Sequence, residues 1–328
     1  MLRIWHLISL LTNSPATELQ GIGFDFLIID KMKTKFFIKN FLTRRGFLKN
    51  IIRFSVVLFL GVGFFERENL KTEYLRLNFS NLPPSFNGFR VVQISDLHAS
   101  FFVDREYLMS VVNEINKLEK DVVVITGDII TGAVNDFWKK WMPEVEGDYV
   151  SMAIDVLSNL NGGRKIAVLG NHDQWDGVDT ERHLVKELER IGFHVLRNSS
   201  EKLVRGNESI YVAGTDDYWF SYDLARALKD IPENNFKMLL SHSPDVTEDI
   251  RNEMRVDLTL CGHTHGGQIA IPYLSPYFIP IKNPSRYSKG LVKETHGYTY
   301  VNRGIGTLVF PFRIGAPPEI THFTLQKI

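Results

Sequence analysis

The sequence predicts an α/β fold, and three observations carry that prediction. Short apolar runs rich in β-branched residues alternate along the chain with segments of helical periodicity, as in sheets covered by helices. Apolar residues make up 44% of the 328 residues and charged residues 23%, which is enough apolar material for a sizeable core. Polar motifs directly follow several of the strand-like runs. We therefore expect an α/β sandwich with a site where strands end.

The elements can be placed in chain order from these patterns. The segment 104–119 begins with Asp104 as a candidate N-cap and repeats apolar residues at helical spacing. The run at 122–125 is β-branched throughout, as expected for a buried strand. Beyond Gln268 the chain reads mostly as strand and loop. Predicted helices lie at 104–119, 150–160 and 180–191. Predicted strands lie at 89–95, 122–125, 166–169, 210–213, 238–240 and 258–260.

Charge and cysteine content exclude two classes of protein. Basic and acidic residues balance at 38 each, whereas a general nucleic-acid-binding protein is usually basic, so we expect no nucleic-acid partner. The single cysteine, Cys261, rules out an intramolecular disulfide and therefore a disulfide-stapled secreted domain. It follows an apolar run, and we expect it to be buried and inert. Export of a chain that has already folded remains compatible with this composition.

Residues 1–65 are predicted to be a leader, and residues 66–328 to be the folded domain. The leader holds nine basic and three acidic residues, and Thr43–Lys49 (TRRGFLK) resembles a twin-arginine export signal. The apolar run at 54–65 has 12 residues, which suits a signal sequence and is shorter than the roughly 20 that cross a bilayer. A start at Met32 would give a conventional basic beginning. The alternative is a basic patch beside a buried core segment.

Five short polar motifs contain five of the ten histidines. Each motif is ordinary alone, since a Gly-Asp pair usually marks a turn and a lone histidine is usually structural. Asp96 and His98 would share a face of an extended segment and could reach one metal ion. The glycines around His263 and His265 would allow both rings to turn inward. The motifs are Asp96-Leu97-His98, Gly127-Asp128, Gly170-Asn171-His172-Asp173, His242, and Gly262-His263-Thr264-His265-Gly266-Gly267.

In this order, the motifs resemble those of the calcineurin-like metallophosphoesterase superfamily over residues 89–267. Gln268 after the last motif, and the segments 302–306, 311–313 and 318–320, resemble its YaeI/YkuE-like bacterial branch, which often carries a twin-arginine leader. The resemblance implies a four-layer αββα sandwich of two mixed sheets flanked by helices. It also implies metal-dependent hydrolysis of a phosphoester, either a monoester or a diester, with a lipid-linked ester among the candidates.

The resemblance also assigns roles to the motif residues. Two divalent ions would be bound, and mixed oxygen and nitrogen ligation suits Mn, Fe or Zn. His172 would protonate the leaving group or stabilise charge in the transition state, and Asp173 would orient His172 or raise its pKa. Asp128 would bridge the two ions. The remaining ligands would be Asp96, His98 and His265 for the first ion, and Asn171, His242 and His263 for the second.

Several alternatives stay open at this stage. The aromatic segments 137–142 and 273–281 would form either a lip facing a membrane or a lipid, or ordinary loop packing. Export would place the protein in the periplasm or anchor it to the membrane. A UDP-2,3-diacylglucosamine pyrophosphatase-type activity would require the cytoplasmic face of the inner membrane. A non-catalytic metal-binding module is the third function. Outside the motifs, Asp216 and Asp217 could line the cleft, and Arg303 would contact phosphate or form a structural salt bridge. The remaining candidates, expected at the surface or in structural roles, are His183, His194, His296 and His322.

Overall fold

The computed structural model describes residues 44–132, 147–270, 279–295, 297–308 and 310–328. Two compact units are distinguished, residues 1–59 and residues 60–328. Helix α1, Arg44–Glu66, contains an apolar segment of 20 residues, Phe47–Glu66. At about 1.5 Å per residue, that segment is long enough to cross a bilayer, a property that signal sequences share. The apolar segment of the helix is longer than the 12-residue run at 54–65 because it begins at Phe47 and includes the charged residues Lys49 and Arg53. The proposed start at Met32 lies outside the described residues.

The second unit contains two six-stranded mixed sheets. The first has the order β1-β12-β2-β3-β4-β5 and the second the order β10-β11-β9-β8-β7-β6. In the first sheet β12 runs antiparallel to β2, and in the second the edge strands β10 and β6 are antiparallel to their neighbours. The strands are β1 Lys71–Phe79, β2 Phe89–Ile94, β3 Val122–Thr126, β4 Arg164–Val168, β5 Phe193–Val195, β6 Ser199–Arg205, β7 Glu208–Gly214, β8 Lys237–Leu240, β9 Leu258–Cys261, β10 Gly290–Lys293, β11 Tyr298–Val301 and β12 Glu319–Lys327.

Helices cover the outer face of each sheet. Asp104 accepts a hydrogen bond from the Tyr107 amide, which confirms it as the N-cap of the first covering helix. The helices that cover the first sheet are α2 Arg105–Lys117, α3 Tyr149–Leu157, α4 Asn171–Trp175 and α5 Val178–Arg190, and those associated with the second are α6 Leu224–Leu228, α7 Val246–Asp249 and α8 Pro284–Tyr287. Short 3₁₀ turns lie at Pro84–Phe86, Asn252–Met254 and His265–Gly267.

The alternation of strand side chains divides the core into three layers. Val122 and Val124 of β3 face the second sheet and pack with Met238 and Leu240 of β8. The intervening Val123 faces the helices of the first sheet instead. A third apolar cluster lies between the second sheet and its own helices. Because parallel strands here are covered on both faces, they read as continuous apolar runs. The predicted αββα sandwich is confirmed.

The last turn of α1 packs within the second unit. The Gly63 carbonyl oxygen accepts a hydrogen bond from the Arg313 amide at 3.0 Å. The Phe64 and Phe312 rings are 6.3 Å apart between centroids, and Glu66 accepts a hydrogen bond from the Gly315 amide. A domain boundary at residue 66 would cut through these contacts. The predicted leader therefore contributes its last residues to the packing of the loop at 310–316.

A matched pair of glycine substitutions tests that packing. A Cβ at Gly63 would lie 3.0 Å from the Phe312 Cβ, whereas a Cβ at Gly61 would meet nothing within 4 Å. Both positions are helical, so valine carries a similar helix propensity at each. We expect Gly63→Val to be less stable than Gly61→Val by about 1–3 kcal/mol, the usual cost of overpacking. The measurement is thermal unfolding of the purified chain. Equal melting temperatures would show that α1 does not pack there.

Candidate metal centre

The predicted ligands converge at one end of the two sheets. Those of the first sheet follow the carboxyl ends of β2, β3 and β4, and those of the second follow β8 and β9. Parallel strands present their carboxyl ends at the same edge, which is where ligand sites form in α/β proteins. All of these side chains are buried. The predicted ligands in chain order are Asp96, His98, Asp128, Asn171, His242, His263 and His265.

Two clusters of candidate ligand atoms lie side by side, and a third group, formed by His98, Asp128 and His172, overlaps both. In the first, His265 Nε2 is 3.1 Å from His98 Nε2 and 3.4 Å from Asp96 Oδ1. In the second, His242 Nε2 is 3.2 Å from His263 Nδ1. Asp128 Oδ2 lies 3.0 Å from His242 Nε2 and 3.5 Å from His98 Nε2, so this carboxylate contacts both clusters.

The arrangement fits divalent cations. Ligands at about 2.0–2.2 Å from one tetrahedral ion are separated from each other by about 3.3–3.6 Å, close to the spacings above. Three buried atoms of the predicted ligands, His98 Nδ1, Asn171 Oδ1 and His263 Nε2, have no hydrogen-bond partner in the described part of the chain. Buried polar atoms normally have a partner, so an additional species is expected there. Imidazole, carboxylate and amide donors together suit Mn, Fe or Zn.

Five of the seven ligands adopt left-handed backbone conformations. Residues other than glycine rarely adopt positive φ, and such strain concentrates at functional sites. The two-residue spacing suggested an extended segment, but Asp96 and His98 do not lie on one. They reach one cluster because each sits in a sharp turn. The residues and φ angles are Asp96 (50°), His98 (48°), Asp128 (52°), His263 (71°) and His265 (51°).

Backbone groups orient the side chains of the centre. His242 Nδ1 donates a hydrogen bond to the Thr126 carbonyl oxygen at 2.8 Å, which leaves Nε2 free to bind a cation. Asp96 accepts a hydrogen bond from the His263 amide, and Asp128 Oδ1 accepts one from the His172 amide at 2.8 Å. A Cβ at Gly127 would lie 2.6 Å from His242 Nδ1, so only glycine allows this approach.

Burial and neighbouring charges leave most ligands in their metal-binding forms at neutral pH. Burial lowers the pKa of His98 and of His263 to about 3, so both rings are neutral. For Asp128, burial alone would raise the pKa, but His242 and neighbouring histidines hold it well below its usual value. For His242, burial alone would lower the pKa, but Asp128 raises it above the ordinary value. A cation binding there would displace the proton on His242.

His172 and Asp173 have different partners from those predicted. His172 Nδ1 lies 2.6 Å from the Thr131 carbonyl oxygen; a carbonyl only accepts, so Nδ1 carries a proton and Nε2 is left for proton transfer. Asp173 accepts hydrogen bonds from the backbone amides of Ile129, Ile130 and Gly170, and burial raises its pKa to about 7. Among the described contacts, the His172 ring is thus oriented by Thr131 rather than by Asp173.

The other sequence candidates lie outside the two clusters. Arg303 forms ion pairs with Glu73 at 2.8 Å and Glu319 at 2.9 Å, so its structural salt bridge is observed. Cys261 is buried as expected, and burial raises its pKa further. The remaining histidines and aromatic segments divide as follows. His183 is exposed, His194 pairs with Glu201, and His322 bonds to the Glu119 carbonyl, while His296, residues 137–142 and most of 273–281 lie outside the described residues.

The buried Arg313 and two tryptophans lie near the centre, although the sequence predicted no role for them there. The Arg313 guanidinium is fully buried, donates to the carbonyls of Arg303, Gly306 and Ala316, and lies 3.4 Å from His265 Nδ1. Trp175 and Trp219 lie against two of the central histidines. Only their positions could have indicated that the tryptophans lie near the site, since each comes just after a short polar run that follows a strand.

Paired clusters of candidate metal ligands at the strand ends of a two-sheet sandwich are typical of a class of metal-dependent hydrolases. The chain belongs to the calcineurin-like phosphoesterase family, whose model matches residues 89–267. It is therefore a metallophosphoesterase, in a family whose members bind divalent metals.

Three relatives extend the similarity. YkuE of Bacillus subtilis, an uncharacterized metallophosphoesterase, is 33% identical over 87% of this chain and 98% of its own length. The phosphodiesterase YaeI of Escherichia coli is 31% identical over 72% of this chain and 82% of its own. A transmembrane protein with a metallophosphoesterase domain from Danio rerio is 30% identical over 75% of this chain and 55% of its own.

Proposed function

We propose that this protein hydrolyses phosphodiesters at a centre that holds two divalent cations. The observation that carries the proposal is the position of Asp128, whose Oδ2 contacts a histidine of each cluster. When bound, two cations would neutralise the phosphate oxygens and lower the pKa of the attacking water. The name of the relative YaeI, a phosphodiesterase, supports a diester as substrate.

Each cluster would supply ligands to one cation. Asp128 would contribute to both positions because its carboxylate lies between the clusters. Left-handed turns hold most of these residues, so the site is organised before a cation binds. The proposed ligands are Asp96, His98 and His265 for one cation, and Asn171, His242 and His263 for the other.

The chain's own groups then act on the ester. His172 holds a proton on Nδ1 through Thr131, and its Nε2 would carry a second proton to the leaving-group oxygen. Asp173 would hold the loop after β3 against the start of α4 through three backbone hydrogen bonds. It would therefore position His172 and Asp128 through the backbone.

The amino-terminal segment would deliver or anchor the enzyme. Arg44 and Arg45 begin α1 and precede its apolar segment, which is long enough to cross a bilayer; this order fits export by the twin-arginine machinery and retention at the membrane. A phosphoester at the membrane surface, including one carried by a lipid, would then be within reach in the periplasm. The cytoplasmic face of the membrane is the alternative location.

Metal removal and restoration tests the function. The full chain is stripped with chelator and then supplied separately with Mn²⁺, Fe²⁺ or Zn²⁺. Bis-p-nitrophenyl phosphate, a diester, is assayed beside the monoester p-nitrophenyl phosphate. We expect the stripped protein to be inactive, and restored protein to bind two ions and to prefer the diester. A folded protein that binds two ions and hydrolyses neither ester would instead be a binding module.

A further inference from the structure

Two exposed indole rings border the metal centre. Trp175 is 50% exposed and Trp219 is 47% exposed, although each contacts a buried histidine of the site. The Trp175 ring lies edge-on to His172 with 4.2 Å between centroids, and the Trp219 ring lies edge-on to His263 at 5.1 Å. The two indoles face each other at 6.2 Å, with 18° between their planes. Together they form an apolar surface beside His172 and His263, here called the tryptophan pair.

The two tryptophans come from different sheets, and polar contacts hold their loops together. Trp175 ends the short helix after β4, whereas Trp219 lies in the loop after β7. Gln174, next to Trp175, donates a hydrogen bond to Asp216 at 3.2 Å, and Asp216 is ion-paired with Arg197 at 2.7 Å.

The neighbouring carboxylate fixes the second indole directly. Asp217 is 1% exposed and accepts a hydrogen bond from the Trp219 amide at 2.9 Å. Burying a carboxylate is costly unless it is hydrogen-bonded, and this one accepts its bond from the loop that carries the exposed Trp219 ring. The pair is therefore positioned by buried polar groups while its faces remain open to solvent.

We propose that the tryptophan pair binds an aromatic ring carried by the leaving group of the substrate. The inference rests on the proposed function, in which His172 protonates the leaving-group oxygen. Because Trp175 touches His172, a leaving group within reach of that histidine must lie beside the indole. Flat indole faces favour stacking with another flat ring over contact with a flexible chain. An aryl ester and a nucleoside ester share this chemistry.

Competitive inhibition can isolate the ring contact from metal binding. Diphenyl phosphate and dimethyl phosphate carry the same phosphodiester anion, so the ratio of their inhibition constants measures the contribution of the aromatic rings to binding. Wild-type protein and the variants Trp175→Ala, Trp219→Ala and Trp219→Phe are compared in metal-restored form. Tyr74→Ala is the matched control, because Tyr74 is an exposed aromatic residue on the edge strand β1, paired there with β12.

We expect diphenyl phosphate to bind wild-type protein at least tenfold more tightly than dimethyl phosphate, as stacking on one indole predicts. Each alanine variant should reduce this preference several-fold, Trp219→Phe should retain part of it, and Tyr74→Ala should leave it unchanged. Each variant's metal content should match that of wild type. Dihexyl phosphate tests the flatness requirement, and adenylyl-(3′,5′)-adenosine distinguishes a nucleoside source from an aryl one.

Two results would overturn the inference. One is a preference for diphenyl phosphate that survives in both alanine variants. The other is stronger inhibition by dihexyl phosphate than by diphenyl phosphate, which would make the surface a site for a chain. Neither is confused with failure of the proposed function, because in that case wild-type protein would hydrolyse no diester at all. If one alanine variant does not fold, the other alanine variant and Trp219→Phe still decide the question.

Discussion

Replacing Asp128 by asparagine is expected to lower kcat/KM for bis-p-nitrophenyl phosphate by about a thousandfold. The carboxylate contacts His242 at 3.0 Å and His98 at 3.5 Å, so its charge serves both clusters. An amide removes that charge and puts an N–H donor on one side. Metal ions contribute several kcal/mol of charge stabilisation in the transition state, and about 4 kcal/mol corresponds to a thousandfold. Metal content should fall below two ions per chain.

Asp155→Asn is the matched control for this substitution. This substitution removes the same negative charge from the surface of the protein, where Asp155 pairs with Arg105. Its effect on kcat/KM should be negligible, since exposed ion pairs contribute little. An Asp128→Asn protein that kept two ions and nearly full turnover would exclude a bridging role. Metal content by mass spectrometry, measured beside the rates, separates lost binding from lost chemistry.

Most strands inside the two sheets were predictable, whereas the edge strands, and β11 and β12 beside two of those edges, were not placed individually. β3 and β4 are covered on both faces, so they appear in the sequence as continuous apolar runs. β1 pairs with β12 at the edge of the first sheet and exposes alternate side chains. Charged residues occupy many of its outward positions, so no apolar run marks it. The edge strand β6 has a similar exposed pattern.

The sequence predicted residues that the structure brings together, but it did not predict their backbone conformations. Asp96 and His98 meet in one cluster through left-handed turns, whereas the spacing suggested an extended segment. A positive φ at a residue with a side chain is imposed by tertiary contacts. Here, the Asp96 carboxylate accepts a hydrogen bond from the His263 amide, and the two residues are 167 positions apart in the sequence. Local sequence patterns carry no record of such a contact.

The position of Asp173 shows how adjacency in sequence misleads. His172 and Asp173 are neighbours in the first turn of α4, and successive residues on a helix point about 100° apart. The carboxylate therefore turns into the loop after β3, while the imidazole ring meets Thr131. Thr131 contributes only a carbonyl group, which any residue could supply. No side-chain pattern could have identified it as the partner of His172.

Replacing His172 by alanine is expected to lower kcat by about 10²- to 10⁴-fold, the usual contribution of general acid catalysis. The backbone amide of residue 172 would still donate to Asp128, so metal content should stay at its wild-type value. Diesters with poor leaving groups should lose the most activity, because they depend most on protonation of the departing oxygen. Measuring kcat across aryl diesters of different leaving-group pKa tests this dependence.

His183→Ala controls for the loss of an imidazole, since His183 is exposed on α5 and belongs to neither cluster of candidate ligands. A uniform loss of kcat across all leaving groups in His172→Ala would instead assign His172 to charge stabilisation at the phosphate. Loss of metal would make it a ligand, a role that its grouping with His98 and Asp128 also permits geometrically. Because Nδ1 is committed to Thr131, each of these roles must pass through Nε2, and the pattern of rates across leaving groups decides among them.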